Sequence, residues 1–211
     1  MRLRFATGLS LAWLSVAALA SAEERPLRPY EAALGLGYSS GSLFGVQGFT
    51  FIALEAGYHW SPRWTVGPYA EVGFIDTTQG SGSPGSTQTF LGHHYRFGAQ
   101  AMLQLFPTQL IDPWLGAGVG YAALGLDVHS APDQGSTGMS AAYRETARGF
   151  EWLSGQCGVN LNLSKALALG AFGRLSLVDY LSQQRSQNSG AAPHESTRAW
   201  LSAGAKATLR F

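Results

Sequence analysis

Read two residues at a time, the chain separates into an apolar and a polar face in eight successive segments. In "ALGLGY" Leu34, Leu36 and Tyr38 alternate with Ala33, Gly35 and Gly37; in "FIALEAGYHW" Ile52, Leu54, Ala56, Tyr58 and Trp60 alternate with Glu55, Gly57 and His59. "WTVGPYAEVGF", "HYRFGAQAMLQLF", "WLGAGVGY", "WLSGQCGVNLNL" and "LALGAFGRLSL" continue the pattern. The last segment, "SAGAKATLRF", sets Ala203, Ala205, Ala207, Leu209 and Phe211 against Ser202, Gly204, Lys206, Thr208 and Arg210. Successive side chains of a strand point to opposite faces, so a period of two predicts eight strands, each with one apolar side.

A soluble sandwich also alternates. Three features favour a different assembly. The central apolar faces carry no charge, because Glu55, Glu71, Arg96, Arg174, Lys206 and Arg210 all fall on the other face, which is otherwise rich in Gly, Ser, Asn and Gln. Aromatics mark both ends of the apolar face: Tyr38, Phe74, Tyr95 and Tyr121 at one end, Trp60, Trp64 and Phe211 at the other. Such girdles belong at membrane interfaces. Finally, short connections (61–63, 107–112, 164–166) alternate with long ones (39–49, 76–90, 124–149, 179–197). The expected fold is therefore all-β: an eight-stranded antiparallel up-and-down transmembrane β-barrel, with short turns on the periplasmic side and long loops outside.

The N-terminus adds a destination. Arg2 and Arg4 precede the apolar "FATGLSLAWLSVAALA", and Ala20-Ser21-Ala22 offers a small-residue cleavage site. This is the three-part pattern of an export signal, expected over 1–22, with the barrel domain over 23–211. Without Arg2 and Arg4, the 14 basic residues drop below the 13 acidic ones, for a mature net charge of −1. That balance gives no basic face for nucleic acid. The single cysteine, Cys157, allows no intrachain disulfide.

Over residues 30–211 the chain resembles the small eight-stranded OmpA-like or opacity-type barrels of the bacterial outer membrane, through "GPYAEVGF" (67–74), "DPWLGAGVGY" (112–121) and "GVNLNLSKALALGAFGRL" (158–175). The resemblance implies a bacterial outer-membrane location and a surround of outer-membrane lipids and lipopolysaccharide. It also implies recognition by the barrel-assembly machinery through a C-terminal signal. Here that signal would comprise Ala205, Ala207, Leu209 and the terminal aromatic Phe211. The chain is expected to lack the peptidoglycan-binding domain of full-length OmpA proteins. Pro68 cannot donate to a ladder, so a bulge or a late strand start is expected there.

Candidate chemistry concentrates in the lumen. Glu55, Glu71, Arg96, Arg174 and Lys206 would share an interior that side chains fill in so small a barrel. They are read as a salt-bridged plug rather than a selectivity constriction, with the acid–base pairing left open. Adjacent His93 and His94 face opposite ways and cannot chelate together, so neither metal nor cofactor is expected. His93 has the outward register that a lipid-active enzyme would need. It has neither a neighbouring His-x-Ser motif nor an acid on its face, so no catalytic residue is assigned.

The remaining sites for function are the loops 76–90, 124–149 and 179–197, the second of which has room for a short helix. The expected protein is a monomeric barrel with a mostly closed, salt-bridged interior and a structural or loop-borne recognition role. The alternatives are a lipid-modifying enzyme and a narrow pore for small solutes.

Overall fold

Eight antiparallel strands follow one another around a closed cylinder: β1 (Tyr30–Leu43), β2 (Val46–His59), β3 (Trp64–Gly80), β4 (Ser86–Gln104), β5 (Ile111–Pro132), β6 (Ala141–Asn162), β7 (Leu167–Arg185) and β8 (Ser196–Arg210). The structure, a computed structural model, describes residues 28–43, 46–80, 86–132, 141–185 and 196–211. The expected export signal at 1–22 lies outside the described residues. Each strand pairs with its sequence neighbour, and β1 pairs with β8 from Glu31↔Arg210 to Ser40↔Leu201. Closure leaves no free edge in the membrane zone, where a bare edge would strand polar backbone in hydrocarbon.

The apolar positions point outward. Leu34, Leu36, Ile52, Leu54, Phe97, Leu115, Leu175, Leu201 and Leu209 are all exposed on the barrel wall. Tyr30, Tyr58, Trp60, Trp64 and Phe211 ring the turn end, whereas Tyr38, Phe74, Tyr95 and Tyr121, joined by Phe150 and Trp152, ring the other. The turns are tight. Ser61 Oγ accepts from the Trp64 backbone N–H at 3.2 Å, and Ser164 Oγ accepts from Leu167 N–H at 3.0 Å.

Three expectations are corrected. Much of the segments 39–49, 76–90, 124–149 and 179–197 is strand, not loop: β5 runs to Pro132 and β6 begins at Ala141. The remaining tips fall at 44–45, 81–85, 133–140 and 186–195, outside the described residues. No helix occupies the described parts of 124–149, and Tyr143 instead packs against a buried core from within β6. Pro68 causes neither a bulge nor a late start. Strand β3 begins at Trp64 and stays in register, with Pro68 opposite Ala99 of β4. The β2–β3 ladder passes directly from Glu55↔Tyr69 to Tyr58↔Val66, so no pair requires the N–H that Pro68 lacks.

The strand extensions have a physical cause. Alternation continues beyond the girdle, but its polarity inverts. Along β5 the inward residues change from Gly116, Gly118 and Gly120 to Ala122, Leu124, Leu126 and Val128, all buried, while outward Asp127 and His129 are exposed. Inside the membrane the apolar face meets lipid; above it, the apolar face must turn inward because water lies outside. The rim is uneven. Strands β5 and β6 have 22 residues each, against 14 each in β1 and β2.

Candidate functional site: the barrel interior

The lumen is filled in three tiers. The middle tier holds the charges. Arg96 of β4 donates through Nε to Glu151 Oε2 at 3.2 Å and through a terminal nitrogen to Glu151 Oε1. It also bonds Ser176 Oγ at 2.6 Å and lies 3.5 Å from Glu71 Oε1. Arg174 of β7 binds the other oxygen of Glu71, and Tyr69 donates its hydroxyl to Glu151 at 2.6 Å. Every ionic side chain here is buried, and two guanidiniums face two carboxylates. Burial raises the cost of an unpaired ion, so this even count is what makes the tier tolerable. Arg174 also stands over the Phe51 ring, 5.5 Å from its centroid.

Below it, towards the turns, Lys206 binds Glu55 at 3.0 Å and stands 4.2 Å from the Trp114 ring centroid. Nearer the mouth, His59 lies between Glu31, at 3.1 Å, and the Thr65 hydroxyl, at 3.0 Å. Arg210 bonds Asn162 at 3.0 Å and approaches Glu31 at 3.7 Å. This half is mainly polar, with Trp114 and Met102 packed beside Lys206. Above the charged tier, the lumen is packed with Leu43, Val46, Phe49, Phe90, Leu124, Leu126, Val128, Val178 and Trp200. His94 is wholly buried in this upper tier, against the rings of Phe49 and Trp200 at 4.6 and 5.6 Å.

The five charges singled out in the sequence thus fall into two groups. Glu71, Arg96 and Arg174 meet in the middle tier, and Glu55 and Lys206 pair below. Glu151 escaped sequence reading although it is the main partner of Arg96. A bulge between Glu151 and Leu153 places two successive residues, Trp152 and Leu153, on the outer wall. Strict alternation from Leu153 therefore assigns Glu151 to lipid; its true direction is opposite. The recoverable signal is the adjacent pair of apolar residues that interrupts the alternation.

Ala205, Ala207, Leu209 and Phe211 lie on the outward register of β8, with Arg210 inward. His93 projects outward between Phe74 and Tyr95, at ring distances of 5.9 and 6.1 Å. Cys157 is exposed on the outer wall. No cluster of three or more His, Cys, Asp or Glu suited to a metal occurs among the described residues.

This cylinder, polar inside and apolar outside between aromatic girdles, has a counterpart among known families. Residues 8–190 match the outer membrane protein beta-barrel domain. The chain belongs to that family. It is accordingly a bacterial outer-membrane protein. The family match stops at residue 190, whereas this chain's barrel is completed by β8 beyond it. Among solved structures, Neisserial surface protein A is similar at a TM-score of 0.54 and 16% identity, covering 86% of this chain and 96% of that one. The outer membrane protein OprG from Pseudomonas aeruginosa is similar at 0.51 and 11% identity, covering 88% and 97%. These likenesses show the shared barrel fold. No curated protein sequence matches the chain significantly.

Proposed function

We propose that this family member is a closed, non-enzymatic, monomeric barrel that acts through its outer surface, with a structural or recognition role at the loop end. The observation that carries this reading is the stacking of two unlike seals in one lumen. The neutral Arg96–Glu71–Glu151–Arg174 cluster spans the middle, and the Leu124–Leu126–Val128–Trp200 layer packs above it. An ion entering from the turn end would meet paired charges that offer it no free counter-charge. It would then meet a mainly apolar layer, in which buried Glu145 lies opposite Leu126, that offers little to replace its hydration. Opening a path requires both to rearrange.

The partners proposed on this reading are lipopolysaccharide and other outer-membrane lipids around the belt, and the assembly machinery at the C-terminal strand. A further partner would be an extracellular ligand at the tips of 76–90, 124–149 and 179–197. Conductance in planar bilayers tests the closed lumen. The expected result is no steady open level for the wild type at moderate voltage. A long-lived ohmic conductance would replace the proposal with the narrow-pore alternative.

A further inference from the structure

The outer wall of β4, β5 and β6 changes character at the upper edge of the girdle. Phe97, Tyr121 and Phe150 stand side by side at the interface, aligned by the pairs Phe97↔Tyr121 and Tyr121↔Phe150. The next outward row is Tyr95, Ala123 and Arg148, and the row beyond is His93, Gly125 and Thr146. The two small residues make a slot floored by Ala123 and Gly125. Its walls are two strand spacings, ~10 Å, apart at their bases. A Cβ added to Gly125 would meet nothing within 4 Å, so the slot is open. One wall is an aromatic ridge, Phe74–His93–Tyr95. The other carries Arg148, which is exposed and makes no ion pair among the described residues. At the top, Arg144 and Asp127 face each other at 3.8 Å, both well exposed.

We propose that this slot binds the phosphorylated glucosamine headgroup of an outer-leaflet glycolipid, the lipid A portion of lipopolysaccharide. Three features fit that occupant together. The slot sits at the height where acyl chains give way to headgroups, because girdle residues Phe74 and Tyr95 form its wall and Tyr121 and Phe150 lie immediately beneath its floor. Arg148, exposed on the outward register beside Ala123, supplies a guanidinium whose planar donors match a phosphate's oxygens, on an aliphatic stem long enough to lie along the apolar wall. The aromatic ridge puts the His93 and Tyr95 rings beside the slot for contact with the C–H face of a sugar ring, and Phe97, Tyr121 and Phe150 would receive the acyl chains below. A zwitterionic phospholipid would leave Arg148 competing with its own ammonium group and the sugar-sized slot unfilled. The proposal names one site for the lipid partner suggested above. It depends on the outer-membrane placement and the outer wall, not on the closed lumen.

The test is a native mass-spectrometric titration of the detergent-purified protein with bisphosphoryl lipid A, and with the same glycolipid stripped of its phosphates. The wild type should bind the phosphorylated form more tightly by about tenfold or more, as expected for a charge-assisted contact. Arg148→Glu should abolish that preference. Gly125→Leu, which fills the slot where space is free, should weaken both forms. Arg198→Glu, the same charge change at an exposed position on β8, should bind like the wild type. Arg148→Gln serves as the second variant should the charge reversal impair assembly, with heat-dependent gel mobility reporting the fold. Unchanged affinity in Arg148→Glu or Arg148→Gln, or equal binding of the phosphate-free glycolipid by the wild type, would overturn the site. Neither result would bear on conductance.

Discussion

Glu151 is the residue on which the middle tier turns. It accepts from both Arg96 and Tyr69, leaving Glu71 to serve Arg174 and the remaining terminal nitrogen of Arg96. Glu151→Gln keeps the shape but leaves two buried guanidiniums on one carboxylate. The expected loss is about 3–5 kcal/mol, the range for breaking one partner out of a buried ion pair. Tyr69→Phe removes one hydrogen bond to a charged acceptor and should cost less, about 1.5–3 kcal/mol. Urea unfolding in lipid vesicles would measure both. Because the cost is chiefly an uncompensated charge, Arg96→Met combined with Glu151→Gln should lose clearly less than the sum of its single variants, since Arg174 and Glu71 remain a neutral pair. Strict additivity would show that the cluster is not coupled.

At the scale of the strand, the bulge in β6 makes a sharp contrast between two deletions. Gly118 pairs with Ser154 and Gly120 with Glu151, so β6 carries one extra residue across this stretch. Deleting the outward Trp152 would regularise the ladder and leave Glu151 facing Arg96. Deleting Cys157, also outward, removes a residue where the register is already regular. It would turn Asn160 towards lipid and Leu161 into the lumen, because a one-residue slip exchanges the faces. Outer-membrane abundance with heat-shifted gel mobility should therefore stay near wild type for the Trp152 deletion and collapse for the Cys157 deletion; equal outcomes would mean that the bulge does not set the register. The same geometry explains what could be read in advance. Membrane-zone strands such as β2 and β5 up to Tyr121 were legible because lipid outside and crowding inside impose one constant polarity. The ends of β5 and β6 were not, because Leu124, Leu126 and Val128 obey the same period with the opposite sign. A reader requiring apolar residues outward stops at the girdle. The inward charges were identifiable from parity alone, but their partners depended on the barrel's shear and on one irregular step at Trp152.

The barrel exists only once its first and last strands have met. Tyr30 N–H donates to Phe211 C=O at 3.1 Å and Phe211 N–H to Tyr30 C=O at 2.9 Å, and their rings stack with centroids 6.3 Å apart. Phe211 thus adds a backbone pair to the β1–β8 seam just beyond Arg210, and the alternation of β8 continues through it. Two neighbours there separate topology from chemistry. Leu209 is exposed on the outer wall opposite Ala32 and Leu167, whereas Thr208 is buried inside opposite Ala33 and Ala168. An aspartate at Thr208 would enter a lumen that already holds Lys206 and Arg210 on the same face. An aspartate at Leu209 would interrupt the outward apolar row that we propose the assembly machinery reads. Near the interface the lipid cost of a carboxylate is small, so a large effect at Leu209 must come from failed insertion rather than lost stability. Leu209→Asp and deletion of Phe211 should each lower the amount of protein in the outer membrane far more than Thr208→Asp. Any assembled Leu209→Asp protein should keep its heat-dependent mobility. Equal abundance of the three variants would leave Phe211 as a seam contact with no part in assembly.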